Sequence, residues 1–386
     1  MKYYIIAGEA SGDLHGSNLM KGLYAQDPGA DIRFWGGELM DAVFQAHQSG
    51  TGLVRDYRQG AVMGYLEVLL KSFYLLKEVR LCKKDIADWK PDVVILIDYP
   101  GFNFKIAKFA HKAGFKVFYY IAPKVWASRE GRIRKLKADV DRLYIIFPFE
   151  VPYFQAKGVP FTYAGNPLVD AVDGNPALHE SREAFLERNH LPDVPYLALL
   201  AGSRNMEIGQ MMPVFMELAD AWHQRHPAHH FVVAAAPSRK MDDYAKYLGD
   251  RPFVHVVFDE TYGALRHAEA AVINSGTASL EAALIGTPQI VTYKVSAASA
   301  VIMRRIIKVQ YVSLANLILN RLAFKEFLQE NFTVENVAGE LEHILDDEAY
   351  RNTMLSDYAE VRSLLGGTGA SEAVAKAMID NLKQAI

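Results

Sequence analysis

A single cysteine, Cys82, in 386 residues excludes an intramolecular disulfide framework and a cysteine-cluster metal site, and fits a reducing compartment. No run approaches the ~18 uncharged apolar residues of a membrane-spanning helix. No charged leader with an apolar segment and cleavage site precedes the first apolar run, Tyr3-Tyr4-Ile5-Ile6-Ala7, so the expectation is a cytoplasmic protein. A dominant charge is missing too: 42 Lys and Arg against 45 Asp and Glu leave a net charge of −3. Global charge therefore gives no reason to expect nucleic acid, and any anionic partner has to be met by a local basic patch. What is present is a hydrophobic fraction of 51% with 23% charged residues, the composition of a globular core. At ~150 residues per domain, the length suggests two domains.

Short apolar runs at 3–7, 92–97, 116–121, 142–146, 196–200, 231–235, 253–257, 270–273 and 289–293 alternate with longer helical patterns. Most are apolar on both faces, as strands of a helix-covered parallel sheet are, which predicts an α/β fold. Pro160, Gly165, Pro167, Gly174, Pro176, Pro192 and Pro195 break the pattern over 165–195 and mark the domain boundary. The expected architecture is two doubly wound, Rossmann-like domains facing across a cleft, 1–168 and 169–350, with both sets of strand carboxyl ends toward one ligand space. The tail, 347–386, reads as two helices separated at Gly366-Gly367.

Several loops combine a strand end, a helix start and reactive side chains. Gly8, Gly12 and Gly16 have the wrong spacing for a dinucleotide fingerprint, and no lysine completes a P-loop. The glycines allow close backbone approach to a ligand, while Glu9 and Asp13 suit hydroxyls or proton transfer better than phosphate; a plain turn with a cap at Ser11 or Asp13 is the competing reading. Gly202-Ser203-Arg204 opens the downstream domain with a permanently charged fork suited to diphosphate, and Ser203 is placed to cap the next helix. Ser275-Gly276-Thr277 opens another helix whose free N–H groups suit an anion. Glu281, four residues after Thr277 and on the same face, is within reach of ribose hydroxyls. Asp98 ends the apolar run before Tyr99-Pro100-Gly101-Phe102-Asn103, where α/β enzymes place catalytic carboxylates; capping of the following turn is the alternative.

Taken together, Gly8-Glu9-Ala10-Ser11-Gly12-Asp13, Ile97–Asn103, Pro123-Lys124-Val125-Trp126-Ala127, Phe147-Pro148-Phe149-Glu150, Gly202-Ser203-Arg204, Ser275–Glu281 and 311–316 resemble, in order and across nearly the whole chain, the lipid-A-disaccharide synthase family. The resemblance implies an inverting glycosyltransferase of the two-domain GT-B type that uses no catalytic metal and no cofactor. It would move 2,3-diacylglucosamine from UDP-2,3-diacylglucosamine to 2,3-diacylglucosamine 1-phosphate. By resemblance, Asp98 is the base on the acceptor hydroxyl, with Glu9 assisting, and Arg204 stabilises departing UDP. Gly202, Ser203, Ser275, Gly276, Thr277, Glu281 and Asn316 join Arg204 in binding the donor; Ser11, Gly12, Asp13, Asn103 and Trp126 bind the acceptor. A helix at about 350–386 is expected to pack back on the first, acceptor-binding domain. The chain departs from the family pattern at Ala201, Asn166, Ser128 and Ala315. A UDP-N-acetylglucosamine 2-epimerase-like enzyme, another enzyme of the same fold and a non-catalytic UDP-sugar-binding module are the alternatives.

Both implied substrates carry acyl chains, and the run from Val62 to Leu76 is apolar on more than one helical face. Tyr65, Leu66, Val68, Leu69, Leu70, Phe73 and Leu75 are its candidate acyl or membrane contacts, which would place the protein peripherally on the inner face of the cytoplasmic membrane. Two basic clusters, 129–137 and 302–308, suit anionic headgroups or the acceptor phosphate, or are solvated helix faces. His223, His226, His229 and His230 read as surface histidines in a connection without carboxylate partners rather than as metal ligands. A homodimer is left open.

Overall fold

The computed structural model describes residues 1–60, 67–237, 239–295 and 310–384, with only the backbone course for 59–60 and 67–74. The chain divides into two units, Met1–Ala171 with Leu365–Ile386, and Val172–Leu364. Of the two tail helices, Glu348–Leu365 lies almost wholly in the second unit and Ala370–Lys383 in the first. The helix returning to the first unit is therefore shorter than the expected 350–386.

The first unit is built on β1 (Lys2–Ala7), β2 (Asp31–Gly36), β3 (Leu53–Asp56), β4 (Val93–Ile97), β5 (Lys116–Tyr120), β6 (Arg142–Ile145) and β7 (Phe161–Tyr163). All are parallel, in the order β3-β2-β1-β4-β5-β6-β7. Every residue of β4 is buried, as the doubly apolar pattern predicts. β2 escapes that pattern because Arg33 interrupts it; the guanidinium is bidentate on Asp85 of the helix Glu67–Trp89 at 2.7 and 2.8 Å.

The second unit holds β8 (Tyr196–Leu200), β9 (His230–Ala235), β10 (Val254–Phe258), β11 (Ala270–Asn274), β12 (Gln289–Tyr293) and β13 (Glu326–Leu328). They form a parallel sheet ordered β10-β9-β8-β11-β12-β13. In both sheets the order reverses once, between β1 and β4 and between β8 and β11. Ligands of open α/β sheets bind outside the carboxyl ends of the strands at this reversal. The loops after these four strands are Gly8–Asp13, Asp98–Asn103, Gly202–Arg204 and Ser275–Thr277.

The last helix is seated on the first, Ala10–Gln26, across Gly22. A Cβ at position 22 would lie 2.9 Å from Ala375 Cβ, 3.0 Å from Ser371 O and 3.1 Å from Glu372 Cα, atoms with little freedom to yield. Asp170 accepts from the Gly369 and Ser371 amides at 2.6 and 2.9 Å, satisfying donors at the start of that helix. Gly22→Val is expected to cost about 1–3 kcal/mol through overpacking, read as a lower midpoint in denaturant unfolding. An unchanged midpoint would show that the two helices separate freely at this crossing.

No helix among the described residues is long and apolar enough to cross a membrane. Tyr65, Leu66 and the basic cluster at 302–308 lie outside the described residues, and the side chains of Val68, Leu69, Leu70 and Phe73 are not described. Leu75 packs partly buried against the first unit's core.

Candidate active site

In the first unit, the chain leaves β4 through two consecutive non-glycine residues in the left-handed region, Asp98 (φ 41°) and Tyr99 (φ 44°). Such a conformation costs about 1–3 kcal/mol per residue and persists only where its surroundings enforce it. Here the Asp98 amide donates to Tyr120 O at 3.1 Å. The Asp98 carbonyl accepts from the Tyr119 hydroxyl at 2.6 Å and from Asn103 Nδ2 at 2.8 Å. Asn103, fully buried, also donates to Ile97 O at 3.1 Å, so its amide nitrogen braces the turn from below. The Tyr99 ring lies over Gly8, where a Cβ would collide with it. The glycine that seemed to make room for a ligand instead makes room for this ring. It is the close approach of the two reversal-point loops that demands glycine at 8.

The braced turn leaves the Asp98 carboxylate half-buried. Burial, and after it the negative charge of Glu9, push its pKa up to about 6, against the pull of Lys124 and of the Tyr99 amide. Glu9 is exposed and sits at the start of the helix Ala10–Gln26, beside exposed Ser11. The structure thus sets Glu9 and Asp98 near each other. Asp13 points elsewhere: it is 3% exposed and accepts from the Gly37, Leu39 and Met40 amides at 2.7, 3.1 and 3.1 Å. Its carboxylate caps the helix Glu38–His47, and Gly12 is packed against Ala7. Trp126 donates its indole N–H to Glu150 Oε1 at 3.1 Å.

In the second unit, Gly202 has φ 98°, and a Cβ there would lie 2.6 Å from both Asn274 Nδ2 and Glu207 Oε2. Glycine alone fits that backbone and that space. As in the first unit, a glycine after the first strand lets the loop after the fourth close beside it. Ser203 does not cap the following helix with its hydroxyl. Glu207 does so instead, accepting from the Ser203 and Arg204 amides at 3.0 and 3.1 Å. The Arg204 side chain is 64% exposed and donates to Glu207 Oε1 at 2.9 Å. Arg239, not foreseen from the sequence, donates to Ser203 O at 2.8 Å through Nε.

Gly276 and Thr277 are exposed at the start of the helix Thr277–Ile285, beside Ser275, whose hydroxyl lies 3.5 Å from Val312 O. Glu281 is half-buried and accepts from the Tyr262 hydroxyl at 3.1 Å. Burial raises its pKa while the Tyr262 hydroxyl opposes the shift. Asn316 has a structural post: fully buried, it donates to Phe324 O and Glu326 Oε1 at 3.1 and 2.8 Å and accepts from the Ala323 amide at 2.7 Å. Asn166, where the family pattern differs, is likewise a brace, bonded to Ile146 O and the Leu168 amide. The histidines do find carboxylates, brought in from elsewhere in the fold. His229 pairs with Glu269 at 2.8 Å, and Glu342 lies 3.8 Å from His226.

A family profile described as Lipid-A-disaccharide synthetase matches residues 3–377. A lipid-A-disaccharide synthase of Geobacter metallireducens is 37% identical over 380 residues, covering 98% of this chain and 96% of its own. Among solved structures, an S. aureus MnaA–UDP complex superposes with a TM-score of 0.68 at 15% identity, covering 99% of this chain and 97% of that one. A Methanocaldococcus jannaschii UDP-GlcNAc 2-epimerase, solved with UDP-GlcNAc and UDP, gives a TM-score of 0.67 at 14% identity, covering 98% and 99%. These structural likenesses speak to the GT-B fold alone, whereas the sequence matches run end to end. The chain belongs to the lipid-A-disaccharide synthetase family of glycosyltransferases.

Proposed function

We propose that this chain transfers 2,3-diacylglucosamine, with inversion, from UDP-2,3-diacylglucosamine to the 6-hydroxyl of 2,3-diacylglucosamine 1-phosphate. The products are the β-1′,6-linked lipid A disaccharide 1-phosphate and UDP. The observation that carries the reading is Asp98. A carboxylate on a strained, fully braced turn at the first unit's reversal point, ready to take a proton near neutral pH, matches the task of a general base. Asp98 removes the hydroxyl proton as the acceptor oxygen attacks the anomeric carbon, and Glu9 beside it raises its proton affinity. The bond from that carbon to the diphosphate breaks, and UDP keeps the electron pair. In the second unit, Arg204 and the open helix start at Thr277 meet the charge that develops on the leaving group. Ser275 joins Thr277 at the phosphate, and Glu281 serves the ribose. A binding module has no use for the strained aspartate, and an epimerase has no acceptor to deprotonate.

The acyl chains of both substrates favour a seat on the inner face of the cytoplasmic membrane. The run 62–76 supports that placement, and the helix Glu67–Trp89 that carries its second half keeps Leu76 and Leu81 at 44% and 43% exposure. Incubation with both lipid substrates should yield a product with the mass of the disaccharide 1-phosphate, and the protein should sediment with anionic lipid vesicles. Epimerised UDP-sugar formed from water-soluble UDP-N-acetylglucosamine, with no disaccharide, would sink the reading.

A further inference from the structure

Asp98, Lys124 and Glu150 follow β4, β5 and β6 in turn. These three strands are parallel neighbours, so the residues stand in a row along one edge of the sheet. Glu150 is 1% exposed, a burial that a carboxylate tolerates only when its oxygens are occupied. They are occupied by three donors. The Ile146 and Phe147 amides reach Oε2 at 3.2 and 3.1 Å, and the Trp126 indole N–H reaches Oε1 at 3.1 Å. The first two belong to the turn after β6 and the third to the loop after β5, so one carboxylate ties two loops together. The Trp126 ring also packs edge-on against Phe149, with centroids 4.8 Å apart. Lys124 lies two residues before Trp126 and accepts through its carbonyl from the Ala127 and Ser128 amides, both at 3.2 Å. Its position is thereby bound to the tied loop.

We propose that Glu150 is a positioning residue. By holding the Trp126 loop against the turn after β6, it keeps the Lys124 ammonium where it favours the ionised form of Asp98, and so sets the pH at which the base becomes available. Lys124 acts on both carboxylates, lowering each, and burial pushes Glu150 up to about 7. Besides Lys124, the groups acting on Asp98 are Glu9 from the loop after β1 and the Tyr99 amide, and Asp98 in turn raises the Tyr119 hydroxyl of β5. Those acting on Glu150 are the Phe147 and Ile146 amides and Trp126, and Glu150 in turn raises the Tyr163 hydroxyl of β7.

The inference rests on Asp98 being the base. The experiment measures kcat and KM against pH for the full chain and its Lys124→Met, Glu150→Ala, Glu150→Gln and Trp126→Phe variants, with Asp98→Asn in the same series. Lys124→Met and Glu150→Ala should each move the acid limb of kcat/KM upward by up to about one pH unit, a ~10-fold loss on that limb. Rates above pH 8 should stay within about threefold of the parent. Glu150→Ala added to Lys124→Met should move the limb no further. Glu150→Gln, which keeps an acceptor, should move it less than Glu150→Ala. If Glu150→Ala does not fold, Trp126→Phe decides, since it removes the tethering N–H and keeps a ring; its limb should also rise. An unmoved limb in folded variants, or an equal shift with and without Lys124, overturns the proposal while a dead Asp98→Asn leaves the base in place. An active Asp98→Asn overturns both.

Discussion

Asp98→Asn is expected to lower turnover by about 10³-fold or more, the upper part of the range that a positioned general base contributes, while UDP binding stays near that of the parent. The amide keeps the shape of the side chain and an oxygen to accept from the Tyr99 amide that acts on the carboxylate, and the rest of the brace is held by backbone groups of Asp98. Tyr119 and Asn103 hold the Asp98 carbonyl, and Tyr120 holds its amide. The loss should therefore be chemical rather than structural, and the melting transition should hold its place. The pH profile supplies the sign. With burial and Glu9 placing the Asp98 pKa at about 6, the unprotonated base is the majority form above that value and is titrated away below it. For the parent, kcat/KM should fall about tenfold per pH unit on the acid side. Near-parental rates for Asp98→Asn, or a parent profile flat down to pH 5, would remove Asp98 from the role.

Arg204→Ala is expected to weaken UDP affinity and to lower kcat by about 10²–10³-fold, the loss seen when one preorganised donor to developing charge is removed. The guanidinium is largely exposed and rests on Glu207 alongside the capped helix start. Glu207 keeps its two backbone donors when the arginine side chain is gone, so stability should change little. Lysine at 204 should restore only part of the activity, since it offers a point charge in place of a planar fork. Titration with UDP and steady-state rates at saturating acceptor separate the two losses. Unchanged UDP affinity together with unchanged turnover would end this assignment.

The buried strands were legible because they are apolar on both faces, and the four loops singled out as chemical fall at the two order reversals. β2, β3, β7 and β13 were not legible, for two reasons. β7 and β13 are three residues long. β2 and β3 carry the charged residues Asp31, Arg33, Arg55 and Asp56 inside otherwise apolar runs, and their pairing with distant partners such as Asp85 and Glu78 has no local signature. The same blindness explains Asp13, Asn103 and Asn316. The resemblance implies a ligand role for each, yet Asp13 spends its carboxylate on the amides of residues 37, 39 and 40, Asn103 its amide nitrogen on the turn just before it, and Asn316 its amide on Phe324 O, Glu326 and the Ala323 amide. Glu150 shows the converse. After Phe147-Pro148-Phe149 it reads as an ordinary acidic residue in a helix's first turn, and nothing local announces that its carboxylate would be buried against an indole from another loop.

Seating the final helix over Gly22 has a consequence for biosynthesis. The first unit is discontinuous in the chain, so its opening helix waits with an uncovered flank until the ribosome has passed the entire second unit. The second unit, which is continuous, is free to fold during that interval. A segment synthesised after the second unit therefore completes one synthesised before it.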